Sequence, residues 1–419
     1  MSKESLTVFY AWQSDRPAEV NCDLIERATR AAIDRVKADL RMDIQLDRDT
    51  QGVPGMPGIG DTILRKIRIC SAFLADVTLV GESGRDCGSA KKLMPNSNVM
   101  IEVGYAASEL GWERMVGVMN TAYGGPEQLP LDVRDRHLVV YDLREGTDEA
   151  GCLGKLTEEI AEKLRKILDP VVGQADAKRR EAEKAAAERA AKIREEFEDR
   201  VRRGEFHRLG ADRGIVAVSI VPDTEGRVDL DKKRRDKTSI PVLIGQQYAN
   251  REDSSRALVA FTGNDSVRLD VTELNERGHV LCASTPLIRS GETEVAGVTL
   301  PPSSRGWVAA EALVNHVIPF VHRCLSLMHD VGVSGAIRVG VSLLNVKDHV
   351  FWLGTYADVH RHPAGCLMAK DDRIRSDLVA IVNWSGSSAQ DVRRALKPAF
   401  DAISQDFGYD ACHNYDSWQ

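Results

Sequence analysis

Residues 94–120, MPNSNVMIEVGYAASELGWERMVGVMN, hold a carboxylate where a helix changes from apolar to polar. At about 100° per residue, Val99, Val103, Ala106 and Leu110 fall on one stripe, with Ala107 beside it. Glu102 and Glu109 border that stripe, and Tyr105 stands just beyond it. Ser97 or Asn98 is placed to cap the helix by accepting from its orphan amides, and Gly111 to stop it. This spacing puts Glu102 in the first turn, near the positive helix end and half-way between core and solvent. Two roles suit an acid there. It can complement the helix dipole, or it can face positive charge that develops on a bound molecule.

The elements around this helix follow from short apolar runs. LTVFYAW (6–12) reads as a buried strand and is followed by a helix carrying Leu24, Ile25, Ala28, Ala31, Ala32 and Val36, ending near Leu40. MDIQLD is a second strand, Asp61 to Ile69 a helix, and SAFLADVTLV a third strand. After the Glu102 helix come the strands RMVGVMN and RHLVVYDL and a helix over 154–168. Alternating strands and helices, with strands that are continuously apolar, predict a parallel sheet covered on both faces. Ligands of such sheets bind beyond the carboxyl ends of the strands. The loops to inspect are therefore WQSDRP, DRDTQGVPG, ADVTLVGE and PNSN, which hold the polar residues. The stretch GVPGMPG lacks both the GxGxxG spacing and the Lys-Ser/Thr of a P-loop. It reads as a lid or an oligomer contact.

The chain has 419 residues, enough for two or three domains with their own cores. Its 43% hydrophobic and 28% charged content is that of a soluble globular protein, and a net charge of −7 leaves no global footprint for nucleic acid. The N-terminus has no signal-peptide pattern and no apolar run approaches a membrane span, so no membrane role is expected. The eight cysteines (22, 70, 87, 152, 282, 324, 366 and 412) are scattered, with no CxxC. They read as reduced thiols in a cytoplasmic protein.

Residues 174–204 change composition to Ala, Glu, Lys and Arg. Glu188 with Lys192 and Glu196 with Arg200 have favourable spacing for helical ion pairs. Large apolar residues are too few for a heptad seam, so a solvated helical spacer is expected, separating two domains. Beyond it, strand-like runs appear at GIVAVSIVP, IPVLIG, RALVAFTG and TEVAGVTLP, with a long helix over 305–331, strands near 336–345 and 349–357, and a closing helix near 388–407. This is an α+β pattern without a catalytic motif. His316, His322 and His329 share one helix at spacings of six and seven, which does not stack them as metal ligands, and no metal site is expected. HRH (360–362) adds two more histidines, and the tail YDACHNYDSW suits either docking or packing.

Taken together, the first 170 residues resemble a TIR (Toll/interleukin-1 receptor) domain of the bacterial, TIR-like nucleotide-binding kind. The resemblance rests on FYAWQSD at the first strand, RDTQGVPG in the place of the family's BB loop, and PNSNVMIEVGYA in the place of the helix with the catalytic glutamate. The NVxxExGYA pattern is shared with nucleoside 2-deoxyribosyltransferases. The chain departs from receptor-type domains in carrying YAWQSD where they have a Ser- and Tyr-rich box, and in lacking a Trp-containing segment before the glutamate.

The resemblance implies a flavodoxin-like parallel sheet over 1–172; beyond it, where no family is recognised, composition and strand pattern give a charged helical linker over 173–204 and an α+β domain, a sensor or partner-binding one, over 205–419. The resemblance also implies cleavage of the nicotinamide–ribose bond of NAD⁺, a substrate and not a cofactor, with Glu102 as the catalytic carboxylate. The chemistry suits the residue: loss of nicotinamide leaves an oxocarbenium-like ribose that a carboxylate can stabilise or attack. Trp12 would offer a face to a base or pack in the core. Gln13, Ser14 and Asp15 would meet ribose or phosphate, and Arg48 would meet pyrophosphate or pair with Asp49. Asp76 would contact ligand at the cleft, Asn96 and Asn98 would bond ribose or cap the helix, and Tyr105 would stack or pack; Asn120 is a weaker candidate. The family further implies self-association of TIR domains on activation, a trigger or partner sensed by the C-terminal domain, and a role in antiphage defence. Two other readings stand beside it: a deoxyribosyltransferase-like enzyme using the same carboxylate, and a non-catalytic TIR scaffold.

Overall fold

The computed structural model describes residues 5–48, 58–82, 92–210, 213–254, 256–264, 266–295, 298–352, 367–412 and 415. The chain divides into two compact units, with the division between Arg179 and Arg180. Most of the GVPGMPG loop, and the HRH motif, lie outside the described residues.

In the N-terminal unit the first strand, β1 (Ser5–Ala11), shows why it reads as continuously apolar. Val8 and Tyr10 point into one core and Phe9 and Ala11 into another, so both faces are buried. The first core is closed by α1 (Cys22–Leu40), whose Leu24, Ile25, Ala28, Ala32, Ile33 and Val36 are buried. Next come β2 (Asp43–Asp47), α2 (Ile59–Ile69) and β3 (Ala72–Asp76). β3 repeats the pattern: Ala72 and Leu74 enter the first core, Phe73 and Ala75 the second.

SAFLADVTLV does not stay one strand. After Asp76 the chain leaves the sheet, and β4 (Leu79–Glu82) pairs antiparallel with β5 (Leu93–Pro95). Helix α3 (Ser97–Leu110) follows, then β6 (Met115–Asn120), the short α4 (Leu131–Arg134), β7 (Val139–Tyr141) and α5 (Glu149–Arg202). The sheet order is β2-β1-β3-β6-β7 with every pair parallel, which is the flavodoxin-like doubly wound order 2-1-3-4-5. Its switch point, where strand order reverses, lies between β1 and β3.

The C-terminal unit is an antiparallel sheet with helices. Its strands are β8 (Ile215–Pro222), β9 (Asn250–Asp253), β10 (Ala257–Gly263), β11 (Arg268–Asn275), β12 (Val280–Ser284), β17 (Ile337–Leu344), β19 (Arg373–Arg375) and β20 (Val379–Ile381). They run in the order β19-β17-β8-β12-β11-β10-β9, with β20 also on β17. Apolar residues of helices α6 (Leu230–Arg235), α7 (Ala310–Asp330) and α8 (Ala389–Asp406) share one core with Val216, Val218 and Ile220 of β8. A small sheet is formed by β13 (Ile288–Ser290), β16 (Gly306–Ala309) and β18 (His349–Trp352).

Several expectations change here. IPVLIG is irregular chain, although Ile240, Val242 and Leu243 are buried in the core of α7 and α8. Among its described residues, TEVAGVTLP holds two two-residue strands, β14 (Glu294–Val295) and β15 (Val298–Thr299). The start of the expected 305–331 helix is β16 instead.

The charged segment is helical, but its second half is not solvated throughout. Phe197 and Val201 of α5 pack with Phe206 of the loop that follows and with Ala217, Val259 and Leu281 of the antiparallel sheet. Two large apolar residues one turn apart are enough to seat a helix once a flat apolar face is available. The expected Glu196–Arg200 pair accordingly gives way: Lys192 pairs with Glu196 at 3.9 Å, and Arg200 turns to Glu273 at 3.4 Å. The histidines of α7 engage separate partners, His316 its own helix at Ala312 O (2.8 Å) and His322 the Ser387 carbonyl (2.9 Å). Tyr415 in the tail packs on Phe400, with ring centroids 5.6 Å apart.

Candidate functional site

The carboxyl edge of the parallel sheet is held by one buried carboxylate. Asp76 ends β3, is fully buried, and has hydrogen-bond donors on both oxygens. Oδ2 accepts from Gln13 Nε2 at 3.0 Å and from Asn21 Nδ2, and Oδ1 accepts from the Thr78 amide at 3.0 Å. Gln13 follows β1, so the Gln13–Asp76 bond lies directly across the switch point. Burial pushes the Asp76 carboxyl up to about 6, against the opposing pull of its Thr78, Gln13 and Asn21 donors.

The network continues on either side. Gln13 Oε1 accepts from the Asp15 amide at 2.5 Å, and Asp15 Oδ2 accepts from Asn96 Nδ2 at 2.6 Å. The β1 loop is thereby tied to the start of α3. Deeper in, the Tyr141 hydroxyl donates to Val20 O at 2.9 Å, and Asn120 Nδ2 donates to Val20 O (3.1 Å) and Leu143 O (2.9 Å). Asn120 is a buried brace for three loops.

At the rim, Arg48 pairs with Glu26 and lies over the Trp12 ring, 5.6 Å from its centroid. Trp12 is half-buried and packs at the edge of the α1 core, so it serves as wall and as partner to Arg48 together. Arg16 donates to Leu79 O at 2.8 Å and covers the Tyr123 ring at 4.3 Å, pinning the β3–β4 turn.

Helix α3 starts earlier than its sequence suggests. The N-cap is Asn96, whose side chain accepts from the Asn98 and Val99 amides at 2.8 and 3.1 Å. Ser97 and Asn98 are therefore helical residues, and Glu102 stands in the second turn, where the dipole is weaker. The extended Pro95 ends β5, and the next polar side chain takes the cap. Glu102 is half-buried between the buried Val99 and Val103, as the wheel implied.

Not every candidate joins this edge. Tyr105 accepts from Arg68 Nη2 of α2 at 2.6 Å, so it belongs to the α2–α3 contact. Ser14 and Asn98 are exposed. Gln13, Asp15, Asp76 and Asn96 are brought together, with Trp12 and Arg48 beside them through their own pair. Asn21, Thr78 and Tyr141 were missed. Thr78 had a local signal, an Asp two residues before it that can accept its amide as an Asx turn does. A cavity of about 350 Å³ lined by Trp112, Val116, Gly117, Val133 and Leu138 shares none of the candidate residues.

No family model matches the chain, and no curated protein matches it. Among the solved structures that match is the crystal structure of a flavodoxin-like domain from Synechococcus sp., 9% identical, covering 41% of this chain and 99% of that one at a TM-score of 0.22. The fold therefore rests on the strand order itself. Among the described residues, no helix is long and apolar enough to cross a membrane.

Proposed function

We propose that the N-terminal unit is a TIR-like NAD⁺ glycohydrolase. Glu102 meets the ribose as nicotinamide departs, and the C-terminal unit senses the signal that switches the enzyme on. The observation that carries this reading is the tie between the switch-point loop and α3: Gln13 on Asp76 at 3.0 Å and Asp15 on Asn96 at 2.6 Å. It supports a ligand-binding edge whose polar groups are held in place by one another, on the helix that bears the carboxylate. Cleavage here needs no general acid, because nicotinamide leaves as a neutral base. The carboxylate stabilises the cationic ribose or attacks it, and water completes the hydrolysis. Trp12, Gln13, Asp15, Arg48 and Asn96 serve as binding residues on this reading. Asp76 orders the loop from beneath, since its oxygens are already occupied. The six cysteines among the described residues are all free thiols, which suits a reducing, cytoplasmic setting.

The test is NAD⁺ consumption by the concentrated full chain, alone and clustered through an N-terminal tag, with products separated by chromatography. Nicotinamide release that falls on the order of 100-fold or more in Glu102→Gln is the expected result. Undiminished release by that variant removes Glu102 from the mechanism. Intact NAD⁺ in the clustered wild type, with base exchange on deoxynucleosides, moves the activity to sugar transfer.

A further inference from the structure

The small sheet of the C-terminal unit aligns three residues of different chemistry. Ser290 of β13 pairs with Gly306 of β16, and Gly306 pairs with His349 of β18. Second-neighbour strands lie about 9.6 Å apart, too far for most side chains to meet across a filled middle position. Here the middle position is glycine. Ser290 Oγ reaches over it to within 3.0 Å of His349 Nε2. Gly306 has φ +149°, and a Cβ there would lie 2.1 Å from the Arg289 carbonyl oxygen and 2.9 Å from Ser290 Cα. No other residue fits.

The direction of the hydrogen bond follows from the far side of the ring. His349 Nδ1 is 3.2 Å from Lys347 O, and a carbonyl only accepts, so Nδ1 carries the proton. Nε2 then presents its lone pair, and the Ser290 hydroxyl donates to it. His349 is 2% exposed, and burial lowers its pKa, which keeps the ring neutral and able to take a proton. The Gly214 amide donates to Ser290 Oγ at 3.0 Å and fixes the hydroxyl in this orientation. The pair lines an open, polar cavity of about 680 Å³ together with Arg213, Arg305, Asn345 and Asp372. Asp372 is matched by Arg202 at 3.0 Å, so the two guanidinium groups dominate the charge of the cavity.

We propose that Ser290 and His349 are a nucleophile and its base, cleaving small carboxylic esters that carry an anionic group for Arg213 and Arg305. Ser290 Oγ bonds to the ester carbonyl carbon while its proton passes to His349 Nε2. The carbon–oxygen bond to the alcohol breaks, and the leaving oxygen takes that proton. Water then attacks the acyl-serine and gives a proton to His349 Nε2. The free acid leaves, and the proton returns to Ser290 Oγ. With a carbonyl in place of a carboxylate behind the histidine, the imidazolium is less stabilised than in a full triad. The site is independent of the NAD⁺ chemistry proposed above.

The test treats the full chain with a phosphonofluoridate probe and maps the modified peptide by mass spectrometry. A label on Ser290 that falls on the order of 100-fold in His349→Gln supports the pair, because glutamine retains polarity but cannot act as the base. Hydrolysis of a 4-nitrophenyl ester of a dicarboxylic acid should fall in parallel, and more steeply for that ester than for 4-nitrophenyl acetate in Arg213→Ala and Arg305→Ala. No label on Ser290 in folded wild type overturns the proposal. So does a label of equal yield in a folded His349→Gln, which leaves the Ser290–His349 contact as a tie between strands.

Discussion

Asp76 gives the N-terminal unit a pH dependence opposite to that of an ordinary surface carboxylate. Its carboxyl rises from an ordinary 3.8 to about 6 in the folded chain because burial outweighs the Thr78, Gln13 and Asn21 hydrogen bonds. The folded state then binds the proton more tightly than the unfolded state. The associated stability is fully present below about pH 3.8 and is lost as pH rises toward and through about 6. At about 1.4 kcal/mol per pH unit, the gap amounts to about 3 kcal/mol in all. Of this, about 1.3 kcal/mol is lost between about pH 5 and about pH 7. Asp76→Asn removes the titration and serves as the reference, so groups elsewhere cancel in the difference. Urea unfolding of both proteins across that range should show wild type losing about 1.3 kcal/mol relative to the variant. A flat difference refutes the reasoning. The same flat difference is what donors that win over burial would give, because a carboxyl held at or below 3.8 is already ionised at about pH 5.

Asn96→Ala should cost about 1 kcal/mol by removing the cap of α3, and should also release Asp15. Asn96→Asp preserves the capping acceptor but sets a carboxylate against Asp15. Its stability should therefore exceed that of the alanine variant in thermal unfolding, while NAD⁺ affinity falls in both. Glu198→Ala should cost about 3–5 kcal/mol in chemical unfolding, because the fully buried Glu198 accepts from Ser342 Oγ at 2.5 Å and Arg375 Nε at 2.7 Å. Glu188→Ala, ten residues earlier and exposed, is the control and should stay within about 0.5 kcal/mol of wild type. Equal costs at the two positions would rule out a buried role for Glu198.

The parts of this chain that could be read from sequence are those fixed by local periodicity. Continuous apolar runs in β1 and β3 announce a strand buried on two faces, and the stripe Val99, Val103, Ala106 and Leu110 announces the buried face of α3. Caps and strand ends depend on competition between neighbouring residues, so the α3 cap moved to Asn96. Polar networks are less legible still. The Gln13–Asp76 bond joins residues 63 apart, and Ser290–His349 joins residues 59 apart. Neither bond has a local signature, since Gln, Ser and His are each at home in loops and on surfaces.

Glu198 makes the same point from within a segment that looked simple. Glu195, Glu196, Asp199 and Arg200 stand around it, and in isolation each of these charged residues would be solvated. What separates Glu198 from Glu188 is its place beside Phe197, which seats the helix on the sheet. Once seated, the buried carboxylate faces Arg375 at 2.7 Å and Arg194 at 3.8 Å, and its charge becomes costly to leave unmatched. Apolar contact decides the burial, and the burial then turns an ordinary ion pair into a constraint on how this helix joins the antiparallel sheet. A Phe197→Ala change should therefore weaken the dependence of stability on Glu198. A double-mutant cycle gives that coupling directly, and strict additivity of the two changes would refute it.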